Sequence, residues 1–212
     1  MSRVRDYLFY EEPGIQLFCG DARQLIQAMP AADSIVTDPV WPTTVFPGVD
    51  DPAALLAKVL GDARALRLVI QLGCDSDPRF LCAVPTEWPF LRSCFLEYVR
   101  PHYKGRLLYT NDVAYVFGKW PASRQGARVF PGKTIQTDHQ KRAAGHPCAR
   151  QPQHVEWLVG WFARGLVLDP FCGTGTTLAA AKNAGLPAIG IEIEPRYCEI
   201  AVKRLRQEVL PL

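Results

Sequence analysis

The sequence predicts an α/β fold in which a mostly parallel sheet carries helices on both faces. Near the C-terminus, an apolar run at residues 166–168 precedes a glycine turn, a small-residue helix and a second apolar run at 188–193. Near the N-terminus, apolar runs at 15–19 and 32–37 flank a helical segment. Strand, turn, helix and strand in succession is typical of a parallel crossover unit. The 212 residues fit one domain with a full core.

The C-terminal turn has the composition of a ligand-binding turn. Asp169 and Pro170 end the strand, and Gly173 and Gly175 permit a tight backbone path before the helix at 176–184. Doubly wound sheets hold nucleotide-like ligands at this position. A bare Gly-x-Gly is also found in ordinary strand-to-helix turns, and the absence of a third glycine argues against a dinucleotide fingerprint.

Acidic residues stand where other strands end. Glu192 and Glu194 close the strand at 188–193, where a carboxylate can accept hydrogen bonds from ribose hydroxyls. Asp21 follows the strand at 15–19, and it fits both a helix N-cap and a ligand-binding role. Asp38 follows the strand at 32–37 at the same predicted edge of the sheet. These positions predict one ligand site at the carboxyl edge.

The remaining segments complete the predicted sheet. Two stretches rich in β-branched and aromatic residues predict antiparallel strands, with an irregularity near residues 110–112. Asp75 and Asp77 lack further carboxylates at calcium-loop spacing, so no metal site is expected. The other predicted elements are helices at 22–29, 51–60, 155–163 and 195–208, a short helical piece at 79–84, and strands at 66–72, 94–99 and 108–117.

Composition limits the class of protein. No apolar run reaches the ~18 residues that span a membrane, and the N-terminus lacks a signal-peptide core. None of the seven cysteines forms a Cys-x-x-Cys pair, which indicates a reducing, cytoplasmic setting. The formal net charge of +3 permits nucleic-acid binding without requiring it.

A basic segment occupies residues 119–150. Hydrophobic periodicity is absent, glycine and proline recur, and Asp138 is the only acidic residue. Such a segment fits either a loop that contacts DNA phosphates or a solvated flexible loop. Its cationic residues are Lys119, Arg124, Arg128, Lys133, Lys141, Arg142 and Arg150.

The motifs together resemble the amino-group DNA methyltransferases, which methylate the exocyclic amine of adenine or cytosine. The resemblance covers nearly the whole chain and implies a Rossmann-like S-adenosylmethionine-dependent methyltransferase fold with a seven-strand sheet. It places Glu192 on the ribose of S-adenosyl-L-methionine and Asp21 on its adenine. His146 and Arg150, in a His-Pro-x-x-Arg segment, would close over the methionine end. The residues implied around the methionine part are Asp169, Pro170, Phe171, Cys172, Gly173, Thr174, Gly175 and Thr176.

The resemblance also implies a catalytic loop at Asp38-Pro39-Val40-Trp41. An exocyclic amine is a poor nucleophile because its lone pair is delocalised into the ring. The Asp38 carboxylate and the Pro39 carbonyl would accept hydrogen bonds from the amine and favour a geometry that frees the lone pair. Trp41 would stack on the extruded base. Val40 departs from the family, whose common motif has a second proline here.

The order of the motifs resembles the circularly permuted beta group of the family, because the catalytic loop precedes the cofactor motif. It implies one domain over residues 1–212, with a catalytic half at 8–118, a target-recognition loop at 119–150 and a cofactor-binding half at 151–212.

The implied activity is site-specific methylation of the 6-amino group of adenine in double-stranded DNA. Cytosine 4-amino methylation, methylation of RNA or of a protein amide, and a catalytically weak cofactor- and DNA-binding protein are the alternatives. The aromatic helix at 155–163 fits core packing or a homodimer contact. The sequence leaves open whether a restriction enzyme is a partner.

Overall fold

The computed structural model describes residues 2–42, 46, 48–119, 129–135 and 152–207. The strands are β1 (Leu8–Glu12), β2 (Ile15–Cys19), β3 (Ala32–Thr37), β4 (Ala65–Gly73), β5 (Phe90–Lys104), β6 (Leu107–Gly118), β7 (Lys133–Ile135), β8 (Val167–Asp169) and β9 (Ala188–Glu192). The α-helices are α1 (Ser2–Arg5), α2 (Ala22–Leu25), α3 (Pro52–Asp62), α4 (Pro152–Phe162), α5 (Thr176–Asn183) and α6 (Pro195–Leu205). Short 3₁₀ helices follow at Ile26–Ala28 and Pro78–Ala83.

The described strands form one sheet in the order β1-β2-β9-β8-β3-β4-β6-β5-β7. The pairs β2–β9, β9–β8, β8–β3, β3–β4 and β5–β7 are parallel, and the other three are antiparallel. The sheet is therefore mostly parallel, as expected. It has nine strands rather than the predicted seven, because β1 and β7 extend the block from β2 to β5 by one strand at each edge.

The two C-terminal strands, β9 and β8, lie side by side between the N-terminal strands β2 and β3. β2 pairs with β9 from Ile15↔Ala188 to Cys19↔Glu192, and β3 pairs with β8 at Ser34↔Val167 and Ile35↔Leu168. Because these strands are parallel, they all end at the same edge. This carboxyl edge gathers the residues that the sequence predicts for the ligand site.

Helices cover both faces, so the core has two layers. Consecutive residues of β3 point to opposite layers, with Ile35 packing beside α2 and α3 and Val36 packing beside α4, α5 and α6. This alternation is the period of a strand that is buried on both faces. It fixes the sheet in the middle of the molecule and leaves its carboxyl edge for the site.

The predicted structureless loop at 119–150 contains a strand. Lys133–Ile135 pairs in parallel with residues 95–97 of β5 and forms the outer edge of the sheet. The rest of the segment, apart from residue 119 and residues 129–132, lies outside the described residues. Three residues within a glycine- and proline-containing stretch give no periodic signal, which explains why the sequence did not predict β7.

Candidate active site

A cleft at the carboxyl edge brings the predicted catalytic loop and the glycine turn together. Asp38 and Trp41 lie on its wall with Gly173 and Glu192. Its lining from the predicted site is Asp21, Asp38, Pro39, Trp41, Pro170, Phe171, Gly173 and Glu192. Motifs more than 100 residues apart in sequence therefore share one cavity.

A smaller cavity adjoins the cleft on the side of α5. Asp38, Phe171 and Gly173 line both cavities. The smaller cavity adds Asp169, Cys172, Thr174 and Thr176 from the predicted site, together with Thr37, Gln71 and Thr177. The two cavities are therefore neighbours, the larger one beside Trp41 and the smaller one against the first turn of α5.

Asp169 joins the two motifs directly. Its Oδ1 accepts a hydrogen bond of 2.7 Å from the Thr37 hydroxyl and one of 3.1 Å from the Phe171 backbone N–H. Only 2% of Asp169 is exposed. The pKa of this carboxyl is raised to about 6, mainly by burial and to a smaller extent by the nearby Asp38 charge, although the hydrogen bonds it accepts act in the opposite direction. The strand that carries the catalytic loop is thereby fixed to the strand that carries the glycine turn.

The turn itself requires glycine for two reasons. Gly173 and Gly175 have φ values of 52° and 75°, a region that side chains other than glycine rarely adopt. A Cβ at Gly175 would also lie 2.8 Å from Ala201 Cβ in α6. The tight turn thus lets α5 pack closely on α6, while the Thr176 hydroxyl accepts a 2.6 Å hydrogen bond from Arg204 Nη1.

Glu192 holds the other side of the turn. Its Oε2 accepts from the Gly173 N–H at 2.8 Å, and its Oε1 accepts from the Glu194 N–H at 2.9 Å. Burial raises the pKa of this carboxyl, although both backbone donors favour the charged form. Each carboxylate oxygen keeps a further lone pair, so Glu192 can still accept from a ligand in the cleft.

The sequence left two roles open for Asp21, and the structure shows the helix N-cap. It is the N-cap of α2, accepting from the Arg23 N–H at 2.9 Å, and it forms a 2.6 Å ion pair with the Arg23 guanidinium. Hydrogen bonding from Arg23 lowers the pKa of the Asp21 carboxyl. The cap interpretation is therefore correct, and the same residue lines the cleft.

The predicted catalytic loop, residues 38–41, is held by its own aromatic residue. The Trp41 indole Nε1 donates a 2.9 Å hydrogen bond to Asp38 Oδ1. The indole ring lies over the end of β4, where a Cβ on Gly73 would be 2.6 Å from it. Sequence reasoning missed Gly73, because its only signal was that it ends an apolar strand.

Three apolar residues of the cleft were also missed. Phe46, Val49 and Leu55 line the cavity. Phe46 and Val49 form an isolated bridge, and Leu55 belongs to α3, whose N-cap Asp51 accepts from Ala53 N–H. Nothing in their local pattern separates them from ordinary loop and helix residues.

Of the predicted substrate-contacting cations, the structure describes Lys119 and Lys133, and neither lines the cleft or the smaller cavity. Lys119 follows β6 at the amino end of β4, where its carbonyl accepts from Arg67, so it lies at the edge opposite to Asp38. Lys133 begins β7 and forms a 3.2 Å ion pair with Glu97. Arg124, Arg128, Lys141 and Arg142, and the predicted cofactor residues His146 and Arg150, lie outside the described residues.

Within the described part of the chain, no helix combines the length and apolar character needed to cross a membrane.

Comparison with known proteins agrees with this geometry. A family model described as "DNA methylase" matches residues 101–203. The type II methyltransferase M2.LlaDCHI of Lactococcus lactis subsp. cremoris is 37% identical over 106 residues, which cover 49% of this chain and 38% of that protein. The chain spans well under half the length of the curated relatives it matches, such as 12% of M.HinfI of Haemophilus influenzae.

Solved structures match over most of the chain. The M1.HpyAVI–SAM complex superposes with a TM-score of 0.70 at 22% identity, covering 91% of this chain and all of the other. The PvuII DNA methyltransferase, described as cytosine-N4-specific, gives a TM-score of 0.69 at 16% identity over 93% of this chain and 88% of the other. These likenesses show the Rossmann-like fold of S-adenosylmethionine-dependent methyltransferases. The motifs assembled in one cleft and the DNA methylase match over residues 101–203 make the chain similar to the amino-group (adenine-N6 or cytosine-N4) DNA methyltransferases.

Proposed function

We propose that the protein transfers a methyl group from S-adenosyl-L-methionine to an exocyclic amine of a base in double-stranded DNA. One observation carries the proposal. The loop at residues 38–41 lines the same cleft as Gly173 of the glycine turn and Glu192 at the end of β9. A cofactor on one wall and a base on the other would therefore lie within reach of each other.

The cofactor would occupy the two neighbouring cavities. Glu192 would accept from the ribose hydroxyls with its remaining lone pairs, and Asp21 would lie at the adenine side. The segment from Asp169 to Thr176 would surround the methionine part in the smaller cavity. When bound, S-adenosylmethionine supplies a sulfonium methyl group that a nitrogen nucleophile can attack directly. The name of the M1.HpyAVI complex, which includes this cofactor, supports the assignment.

The base would enter beside Trp41. A base inside a duplex is out of reach of the cleft, so it must be extruded and stacked on an aromatic surface. Its amine would then donate to the Asp38 carboxylate and the Pro39 carbonyl. The Trp41 indole already donates a hydrogen bond to Asp38 Oδ1. The amine of the entering base would either replace the indole as the donor to this oxygen or donate to its second lone pair.

We propose the 6-amino group of adenine as the acceptor, because position 38 is Asp rather than Ser. Cytosine 4-amino methylation is the second candidate, since the fold also matches the PvuII enzyme, which is described as cytosine-N4-specific. The proposed division into halves at 8–118 and 151–212 around a recognition loop at 119–150, and the beta-group order of motifs, belong to the same proposal.

A tritiated-methyl assay tests the function. The chain is incubated with labelled S-adenosylmethionine and duplex DNA, RNA or protein in parallel, and labelled DNA is digested to nucleosides. We expect label in duplex DNA, on N6-methyladenine, and its loss in Asp38→Asn. The matched control is Asp50→Asn, an exposed aspartate that follows the catalytic loop, which should keep activity.

The other outcomes separate the rival functions. Label in RNA or protein but not in DNA would overturn the substrate, and N4-methylcytosine would overturn the base. Equal incorporation by the parent and Asp38→Asn would remove Asp38 from the chemistry. Calorimetric binding of cofactor without transfer to any acceptor would favour the cofactor- and DNA-binding protein.

Partner and location are further parts of the proposal. Trp157 and Trp161 of α4 are only partly buried where they pack against the core, so this helix could form a homodimer contact. Light scattering of the purified protein tests that contact. We propose a cytoplasmic protein that acts with or without a restriction enzyme. Detection of modified bases in DNA from expressing cells would show the recognition site.

A further inference from the structure

The hairpin formed by β5 and β6 extends beyond the rest of the sheet at the carboxyl edge. The last β6 residue that pairs with β4 is Asp112, opposite Gly73. The pairing of β5 with β6 continues to Lys104↔Leu107, five residues further along β6. At roughly 3.3 Å per residue, the hairpin therefore projects about 17 Å past the end of β4.

This projection stands beside the predicted base-binding wall. The ring of Trp41 lies against Gly73, and Gly73 pairs with Asp112 at the base of the projection. The hairpin consequently points in the direction from which a duplex must approach if its base is to reach Trp41.

The tip of the projection is cationic. Residues 98–110 contain Arg100, Lys104 and Arg106 and no Asp or Glu. The side chains of Arg100 and Arg106 are exposed. Tyr103 is 74% exposed, and Leu107 is 65% exposed. An exposed cationic tip with an aromatic residue matches the side chains that contact nucleic-acid backbones and bases.

Side-chain contacts fix the part of the hairpin that adjoins the sheet, so the tip extends from an ordered support. The Tyr98 hydroxyl donates a 2.5 Å hydrogen bond to Asp112 Oδ1. The His102 ring stacks on Tyr109 with centroids 5.3 Å apart, and it lies 5.6 Å from the Tyr98 ring. The buried His154 of α4 joins the hairpin to the core, because its Nε2 lies 3.0 Å from the Glu97 carbonyl oxygen.

We propose that this hairpin, residues 98–110, is an arm that contacts the phosphate backbone of duplex DNA beside the target base. The inference rests on the proposed function and adds a contact surface separate from the basic segment at 119–150. Arg100 and Arg106 supply the phosphate contacts. A fixed arm of this length orients the duplex over the cleft without reading its sequence, since phosphate contacts carry no sequence information.

Binding to a random-sequence duplex tests the arm, because the recognition site is then not needed. Fluorescence anisotropy at several salt concentrations compares the parent with Arg100→Ala/Arg106→Ala. Each lost phosphate contact reduces the slope of log K against log[salt] by about 0.9, so we expect a slope smaller by about 1.8. We also expect affinity at 50 mM salt to fall by roughly tenfold or more.

The matched control is Arg64→Ala/Arg164→Ala. Both of these arginines are exposed, and they precede β4 and β8, which places them at the opposite edge of the sheet. The control removes the same charge, and we expect it to leave the salt slope unchanged. Calorimetry with S-adenosylmethionine should give the same affinity for all three proteins, which shows that each one is folded.

Each result decides between the proposals. A parent that binds and methylates DNA, with an arm variant of equal affinity and slope, overturns the arm alone. A parent that neither binds nor methylates duplex DNA overturns the proposed function and the arm with it. If the arm variant instead changes the oligomeric state in sedimentation and leaves DNA binding intact, the hairpin is an interface between copies, and the proposal is wrong.

Discussion

At the scale of single residues, the predicted catalytic loop at residues 38–41 has Val40 where the family motif has a second proline, and a hydrogen bond within the loop adds stiffness in its place. Val40 lacks the fixed φ of the proline that the family motif has here, so the loop loses a source of stiffness. The Trp41–Asp38 hydrogen bond links the two ends of the tetrapeptide, and Pro39 and Pro42 flank the substituted region. The side chain that would stack on the base therefore also orients the carboxylate that would accept from its amine.

Asp169 makes stability depend on pH. Its pKa is raised from an ordinary value of 3.8 to about 6 in the folded state, mainly by burial. The folded protein therefore binds the proton more tightly than the unfolded chain does. Stability associated with the protonated carboxyl is full below about pH 3.8, falls as the pH rises through about 6, and stays reduced above that.

We predict that Asp169→Asn is more stable than the parent near pH 8. The neutral amide avoids the cost of a buried charge, which is of order 2–3 kcal/mol for a shift of about two pKa units. Urea unfolding at pH 5 and pH 8 measures the difference, which should grow by about 1 kcal/mol or more between them. The same difference at both pH values would contradict a raised pKa at this carboxyl.

At the scale of elements, the glycine turn sets the spacing of two helices. We predict that Gly175→Ala lowers the free energy of unfolding by about 2 kcal/mol or more. The reasons are the left-handed φ of 75° and the approach of the new Cβ to Ala201 in α6, at 2.8 Å. Chemical denaturation measures the change.

Gly160→Ala is the control for this substitution. Gly160 lies in α4, is exposed, and has no heavy atom within 4 Å of an added Cβ. Alanine there should be neutral or should stabilise α4 by up to about 1 kcal/mol. Equal effects at positions 160 and 175 would show that the turn does not require glycine.

Most elements of the fold could be predicted from the sequence because they are buried on both faces. β2 and β3 begin and end at the predicted residues, since Ile15–Cys19 and Ala32–Thr37 are apolar runs bounded by turn residues. β1 was missed because its burial alternates between exposed and half-buried positions, which leaves no strong apolar pattern. The length of the β5–β6 hairpin was underestimated, because its tip is exposed and is paired only with itself.

Site residues could be predicted where the proposed chemistry requires a particular residue type. They were missed where a residue enters the site only because distant chain segments meet there. Asp38, Trp41 and Glu192 stand at or just after the ends of strands and have the residue types that the proposed chemistry needs, and the structure brings them to one cleft. Gly73 and Phe46 enter the site because chain segments meet there, which no local pattern reports. Lys119 carries the right charge but lies at the opposite edge, because β6 runs antiparallel to β4 and carries it there.

At the scale of the whole molecule, the distribution of charge indicates a DNA-binding surface more clearly than the net charge of +3 does. Two cationic regions lie within the chain segment from β5 to α4: the hairpin tip at 98–110 and the segment at 119–150. The first projects from the edge that holds the cleft. A duplex drawn to this edge would present its bases to Trp41, which connects the charge pattern to the proposed reaction.

The central claim is that one cleft passes a methyl group from the wall of Gly173 and Glu192 to the wall of Asp38 and Trp41. A crystal structure of the chain with S-adenosylhomocysteine tests it most directly. We predict ribose hydroxyls hydrogen-bonded to Glu192, the homocysteine part against the turn at Gly173, and the sulfur facing Asp38 across an open space for a base. Ligand bound elsewhere, or bound with its sulfur turned away from Asp38, would contradict the account.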